Sequence, residues 1–142
     1  MRLGFDLDGT TFFWLFFFKK YAREVLKRLI AQGHEIRFVT ARGILTPLAK
    51  RTLELYRLSA IEVIGVGKNG KKYKQLINSD AYFDNTVEQL IAIREVIGSD
   101  GCQLYLFGKE SKGGFTNLPN WRKIYREVLL LSRKEVEKKL AV

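Results

Sequence analysis

Two acidic residues end the first apolar segment of the chain, in the stretch Phe5-Asp6-Leu7-Asp8-Gly9-Thr10. Residues two apart lie on the same side of a β-strand, so Asp6 and Asp8 would share one side if the strand continued. A buried strand that leads into two carboxylates is costly unless a cation compensates them, and Mg²⁺ prefers carboxylate and phosphate oxygens. The stretch therefore predicts an active-site loop. The alternative, part of a calcium-binding loop, would need more oxygen ligands than the residues after Thr10 supply.

Short apolar segments alternate with amphipathic helical patterns along the rest of the chain. Strands are predicted at 3–7, 36–39, 61–66, 81–83 and 103–107. Helices are predicted at 19–32, 46–57 and 86–98, the third opening on a capping box at 86–89, and from Trp121 onward. This alternation predicts one α/β domain, 1–142, with a three-layer Rossmann-like architecture. Its parallel five-stranded sheet would carry helices on both faces, with no large cap domain.

Three polar residues fall where predicted strands end. Asp6, Thr40 and Asp84 each follow a different strand. In open parallel sheets, ligands bind outside the carboxyl ends of the strands, at the point where the strand order reverses. The three side chains are therefore expected to meet at one edge of the sheet.

The stretch from Asp6 to Thr10 resembles the first motif of the haloacid dehalogenase (HAD)-like superfamily, in its phosphatase branch. Three later stretches fit that family in the same order: Phe38–Arg42, the lysine cluster Lys68–Lys74, and Tyr82–Asn85. The resemblance spans roughly residues 2–121. Because there is no room for a large cap, the chain is similar to the small 5′-nucleotidase and deoxyribonucleotidase-like members.

The resemblance implies catalytic and metal-binding roles for three aspartates. Asp6 would be the nucleophile that forms an aspartyl-phosphate, and Asp8 would protonate the leaving oxygen and then deprotonate the attacking water. Mg²⁺ would be held by Asp6, by the main-chain carbonyl of Asp8, and by Asp84.

The resemblance also implies a pair of phosphate-binding residues. Thr40 would donate to one phosphoryl oxygen and a lysine of the cluster would bind another. Lys71 is the favoured lysine, but the spacing alone leaves Lys72 and Lys68 open.

One position departs from the family pattern. Relatives often have a second acid where this chain has Asn85, so the metal site would carry one negative charge fewer unless Glu88 compensates. This predicts weaker Mg²⁺ binding. The alternative is a degenerate copy of the site that binds without catalysing.

An aromatic segment, Phe12–Phe18, occupies the position of the family's flap. It would act as a lip that stacks on a base or covers the phosphate. Core packing and a homo-oligomer interface, taken together, are favoured over that role because exposed patches this apolar usually mark a contact.

The net charge and the cysteine content indicate which partners and which cellular compartment to expect. The net charge is +10, which would attract a phosphorylated substrate or a nucleic acid. The single cysteine, Cys102, fits a reducing compartment, and no signal segment or apolar span is apparent, so a cytoplasmic location is expected.

The predicted function is a Mg²⁺-dependent phosphomonoester hydrolase that acts on a small phosphorylated substrate, a nucleotide being favoured. The alternatives are a nucleic-acid-end phosphatase and a non-catalytic protein that binds phosphate or nucleic acid.

Overall fold

The computed structural model describes residues 1–14, 17–43, 46–67, 72–98 and 101–141, with the backbone alone at Trp14. The strands in this part of the chain are β1 (Arg2–Phe5), β2 (Phe12–Trp14), β3 (Phe17–Phe18), β4 (Glu35–Thr40), β5 (Glu62–Gly65), β6 (Ala81–Asp84), β7 (Gln103–Phe107) and β8 (Thr116–Leu118). The helices are α1 (Ala22–Ala31), α2 (Thr46–Leu55), α3 (Val87–Ile97) and α4 (Trp121–Leu140), with a short 3-10 helix at Lys72–Gln75. Among them, none combines the length and apolar composition that crossing a bilayer requires.

The main sheet has six strands in the order β5-β4-β1-β6-β7-β8, all parallel. The α/β class and the parallel sheet were predicted, but the count of five strands was wrong because no strand was predicted between 103–107 and the helix at Trp121, where β8 lies. Three residues are too few to display an alternating pattern. The strand forms because the edge of β7 offers it a hydrogen-bonding partner, with Phe107 paired to Leu118.

Helices cover both faces of the sheet, as predicted. Side chains on one face of the strands, such as Phe5, form one buried cluster with α1, α2 and α4. Side chains on the other face, such as Tyr82, form a second cluster with α3 and Leu76, next to the 3-10 helix. Since successive strand residues point to opposite faces, the same strands supply both cores and bring their carboxyl ends to one edge.

The aromatic segment forms an antiparallel hairpin of β2 and β3 between β1 and α1. Phe12 is fully buried and packs edge-on against Phe18, with ring centroids 4.8 Å apart. Phe13 and Phe17 are 62% and 55% exposed. Burial thus alternates along a segment whose uniformly apolar sequence shows no alternation. Among the side chains that the structure describes in this segment, core packing accounts for Phe12 and for the partly buried Phe18. Assembly through Phe12–Phe18 stays a prediction.

Candidate active site

Asp6, Thr40 and Asp84 lie at the carboxyl ends of β1, β4 and β6, which are neighbours at the centre of the sheet. The first two strands are in register at Phe5 and Phe38, and the Asp6 N–H donates to the carbonyl of Phe83 at 2.9 Å. The chain builds the sheet outward from β1 in both directions, so β1 marks the reversal of strand order. The predicted site therefore lies where parallel sheets bind ligands.

A buried ammonium group joins two of these residues. Lys72 Nζ lies 2.8 Å from Asp6 Oδ1 and 3.1 Å from Asp84 Oδ2, and the three side chains are 4%, 9% and 1% exposed respectively. Burial, followed by repulsion from Asp84, raises the pKa of Asp6 to about 7 although Lys72 opposes the shift. Burial alone would lower the pKa of Lys72, but the two carboxylates outweigh it and raise that pKa.

Lys72 belongs to the predicted lysine cluster, and it begins the 3-10 helix after β5. It was one of the two alternatives that the spacing left open. Lys71, the favoured lysine, and Lys68 lie outside the described residues. Of the three candidate lysines, Lys72 is the one whose position is described, and it contacts Asp6 and Asp84.

Tyr82 completes this buried network and was missed by sequence reasoning. Its hydroxyl donates to Asp84 Oδ2 at 2.7 Å and accepts from Lys72 Nζ at 3.1 Å. Burial, followed by the nearby Asp84 carboxylate, raises the pKa of this phenol well above its usual value, so it remains a donor. The available signal was its position two residues before Asp84, which places both side chains on one side of β6.

Asp8 turns away from Lys72 towards an arginine of the second motif. Arg42 Nη2 donates to Asp8 Oδ1 at 2.6 Å and Arg42 Nε to Oδ2 at 2.9 Å. The arginine side chain is only 6% exposed, and its guanidinium lies 5.3 Å from the centre of the Phe12 ring. The backbone N–H of Arg42 also donates to the buried Thr40 Oγ1 at 3.2 Å. The Asp8 carboxylate is therefore held by the guanidinium of Arg42.

Oxygen atoms that could bind a cation come from three residues at this edge of the sheet: the carboxylates of Asp6 and Asp84 and the main-chain carbonyl of Asp8. With its amide oriented to satisfy its hydrogen bonds, Asn85 places its nitrogen 3.1 Å from both the Asp8 carbonyl oxygen and Asp6 Oδ2. The described residues contain no cluster of three His, Cys, Asp or Glu side chains able to hold a metal. A metal here would therefore also use a main-chain oxygen such as the Asp8 carbonyl. Asp6 and Asp84 outweigh Lys72 by one negative charge. Hard oxygens with a net negative charge fit Mg²⁺.

One nearby and one distant side chain hold the loop that carries Asp6 and Asp8. Thr11 Oγ1 donates to the Asp6 carbonyl at 2.8 Å, and the indole N–H of Trp121 donates to the Thr10 carbonyl at 2.9 Å. Gly9 has a φ of 86°, and a Cβ there would overlap the Asn85 side chain. The turn thus requires glycine for its conformation and for space.

The first turn of α3 is tied to the site in an unexpected way. Thr86 makes no side-chain capping bond, so the predicted capping box was wrong. Its backbone N–H instead donates to Asp84 Oδ1 at 2.9 Å. One oxygen of this carboxylate therefore holds the residue that precedes α3 while the other contacts Lys72.

No family model matches the chain, and no curated protein matches it. Solved structures do match it, and two of them are D,D-heptose 1,7-bisphosphate phosphatases. The one from Burkholderia thailandensis is 14% identical, with a TM-score of 0.63 over 90% of this chain and 97% of that chain. The one from B. bronchiseptica, complexed with magnesium and phosphate, is 9% identical, with a TM-score of 0.66 over 92% and 99%. The chain therefore has an α/β fold similar to that of these phosphatases.

Proposed function

We propose that the protein is a Mg²⁺-dependent phosphomonoester hydrolase that forms an aspartyl-phosphate on Asp6. The observation that carries the proposal is the buried Asp6–Lys72–Asp84 arrangement at the switch point of the sheet. A structural ion pair in this position would bury two carboxylates for one lysine and gain little stability from it. The same arrangement suits a site that receives both a cation and a phosphate. The similar fold of two phosphatases supports the proposal.

The first chemical step uses Asp6 as the nucleophile. An Asp6 oxygen attacks phosphorus, the bond from phosphorus to the ester oxygen breaks, and Asp8 gives its proton to that leaving oxygen. Lys72 and Thr40 hold phosphoryl oxygens and stabilise the charge that develops on them. The result is an acyl phosphate on Asp6 and a free alcohol.

In the second step Asp8 takes a proton from water, which attacks phosphorus and releases phosphate from Asp6. Both steps require Asp8 to be free of Arg42. An incoming phosphate competes with the Asp8 carboxylate for the guanidinium, so substrate binding itself would free Asp8.

Mg²⁺ would be held by the Asp6 and Asp84 carboxylates and the Asp8 carbonyl. When bound, it supplies charge neutralisation for the phosphoryl group. Asn85 contributes no charge, and its amide hydrogen bonds to Asp6 and Asp8 must break when a cation binds between those oxygens. We therefore expect weaker Mg²⁺ affinity than an acid at this position would give.

The favoured substrate is a nucleotide. Phe13 and Phe17 expose their rings on the hairpin, with centroids 5.9 Å apart, and a base could stack on them. The net charge of +10 keeps a nucleic-acid end as the second candidate. The two structural neighbours are named for a sugar bisphosphate, so sugar phosphates belong in the same test.

The test is phosphate release from nucleoside 5′- and 3′-monophosphates, 3′-phosphorylated oligonucleotides and sugar phosphates, each with Mg²⁺ and with EDTA. We expect Mg²⁺-dependent turnover that Asp6→Asn lowers by about 10⁴-fold or more. Asp80→Asn, an exposed aspartate at the opposite edge of the sheet, is the matched control and should retain turnover. Borohydride reduction of the working enzyme should convert Asp6 to homoserine, detected by peptide mass spectrometry.

Absence of turnover on every substrate, with folded protein at saturating Mg²⁺, would refute the hydrolase and favour a non-catalytic phosphate-binding protein. Asn85→Asp then tests the cause, because it restores the second acid that relatives often have at this position. If turnover appears in that variant at saturating Mg²⁺, the natural protein lacks the negative charge beside the metal and not metal occupancy.

A further inference from the structure

An open groove of about 480 Å³ adjoins the candidate active site. It begins at Gly9 and Asn85 and is walled by the loop between β7 and β8. Its basic lining residues are Lys19, Lys109 and Lys112. A volume of this size is typical of a small-molecule site. Because the groove lies beside the Asp6 loop, it could hold the leaving group of the substrate, which is the alcohol released from the phosphate.

Lys19 holds a fixed position at this groove. Its backbone N–H donates to the Thr11 carbonyl at 2.7 Å, which ties it to the loop that carries Asp6. Its ammonium lies 5.7 Å from the centre of the Phe107 ring. None of the carboxylates in the described part of the chain forms an ion pair with Lys19. The charge is therefore positioned and not neutralised.

The other lysines of the groove are either paired with a carboxylate or more exposed than the half-buried Lys19. Lys112 is paired with Glu110 at 2.8 Å, so these two residues largely cancel. Lys109 and Glu88 are both exposed, and the second of these offers oxygens that can accept from hydroxyl groups. Lys19 is thus the charge best placed to recognise an anion.

The wall of the groove is preformed. The Asn117 side-chain amide donates to the main-chain carbonyl of Leu106 in β7 (3.2 Å) and to two carbonyls of the loop, at Gly108 (2.8 Å) and Glu110 (3.0 Å). A loop held in this way loses little further freedom when a ligand binds.

We propose that this groove binds a second phosphate, carried by the leaving group of the substrate, and that Lys19 is its ligand. The proposal rests on the proposed function, because it takes the first phosphate to be bound at Asp6. A second phosphate is the chemistry that fits one ordered ammonium beside acceptors for hydroxyl groups. Its source is a sugar bisphosphate or a nucleoside bisphosphate.

The experiment is calorimetric binding to the Asp6→Asn protein, which cannot turn over. The ligand pairs are fructose 1,6-bisphosphate against fructose 6-phosphate, and adenosine 3′,5′-bisphosphate against adenosine 5′-monophosphate. We expect the bisphosphate of one pair to bind about tenfold more tightly, as one charge-assisted contact predicts. The pair that shows the preference identifies the sugar or nucleoside source.

Lys19→Gln should abolish that preference and leave binding of the monophosphate unchanged. Lys20→Gln is the matched control, because Lys20 also lies over an aromatic ring, Tyr21 at 5.1 Å, but does not line the groove. Equal binding within both pairs, or equal losses in both lysine variants, would overturn the proposal. A Lys19-dependent preference in a protein without turnover would refute only the hydrolase. Turnover without the preference would refute only the groove.

Discussion

The two ends of the central strands use charged residues in opposite ways. At the amino ends, Arg2 pairs with Glu35 at 3.0 Å and Arg37 with Glu62 at 3.1 Å, all on side chains at least 38% exposed. At the carboxyl ends, the ion pairs of Lys72 join side chains that are less than a tenth exposed. The strands and the residue types are similar, but the exposure of the charged side chains to solvent differs.

Exposed ion pairs contribute about 0–1 kcal/mol each, so the amino-end pairs add little to stability. Buried charges cost several kcal/mol to desolvate, and removal of one partner leaves the other uncompensated. The carboxyl-end cluster is therefore a poor way to stabilise the fold and a good way to hold charges ready for a ligand. Three pairs of substitutions and one labelling measurement test this difference, from the largest expected effect to the smallest.

Lys72→Met should destabilise the metal-free protein by about 3–5 kcal/mol, because it leaves two buried carboxylates without their cation. Arg37→Met, its counterpart at the amino ends, should cost no more than about 1 kcal/mol. Urea unfolding in EDTA measures both. Added Mg²⁺ should restore part of the loss at Lys72 and none at Arg37. Equal costs at the two ends would remove the distinction between them.

Tyr82→Phe should weaken Mg²⁺ binding by about tenfold or more, because the hydroxyl orients Asp84 and such supporting partners affect metal affinity on that scale. Tyr105→Phe is the control, since its hydroxyl donates to a carboxylate away from the site, Glu127 at 3.0 Å. Mg²⁺-dependent thermal stabilisation gives the affinity of each variant without a turnover assay. An unchanged affinity in Tyr82→Phe would reduce this tyrosine to a packing role.

Gly9→Ala and Gly33→Ala compare turns at the two ends, with φ values of 86° and 88°. Alanine at either position should lower the free energy of unfolding by about 1–2 kcal/mol, since both residues have a left-handed backbone conformation. A Cβ at Gly33 meets nothing within 4 Å, whereas at Gly9 it overlaps Asn85. Only Gly9→Ala should therefore also lower Mg²⁺ affinity and turnover. Parallel unfolding and Mg²⁺ titrations decide this, and a functional loss in Gly33→Ala would contradict it.

Cys102, before the amino end of β7, should be chemically inert. Burial, followed by the charge of Asp80, raises the pKa of its thiol from 9.0 to about 12. The thiolate fraction at pH 8 is then about a thousandfold lower than in the unfolded chain. The native thiolate becomes a substantial fraction only as the pH approaches 12. Iodoacetamide labelling of native and urea-unfolded protein measures the ratio. Rapid labelling of the native thiol would show that this end also holds an activated group.

Much of the fold was predictable because strand and helix patterns are local. The alternation of apolar segments predicted the parallel sheet, and the polar residues at their ends predicted the edge where Asp6, Thr40 and Asp84 meet. The edge strand β8 was not predicted because its three residues form a strand only through their pairing with β7, which the local composition does not reveal. The inward and outward faces of the aromatic hairpin escaped because every residue there is apolar.

The site was predictable to a lesser extent. The sequence identified the lysine cluster, but the choice of Lys72 depends on where a 3-10 helix begins. Arg42 lay inside a recognised motif without an assigned role, because its pairing with Asp8 joins loops that follow different strands. The groove at Lys19 gave no sequence signal, since its walls come from distant segments.

The sequence by itself determined the alternation of the five predicted strands with the helices, the acidic loop after β1 and the kind of ligand those acids suit, because each depends on neighbouring residues. Only the tertiary structure decided which lysine compensates the acids, which tyrosine supports them and which aromatic rings stay exposed. Those outcomes depend on distances between segments such as Trp121 and Thr10, 111 residues apart. Desolvation acts on the assembled site, so the same charged residues are almost neutral for stability at one end of the sheet and strongly coupled at the other.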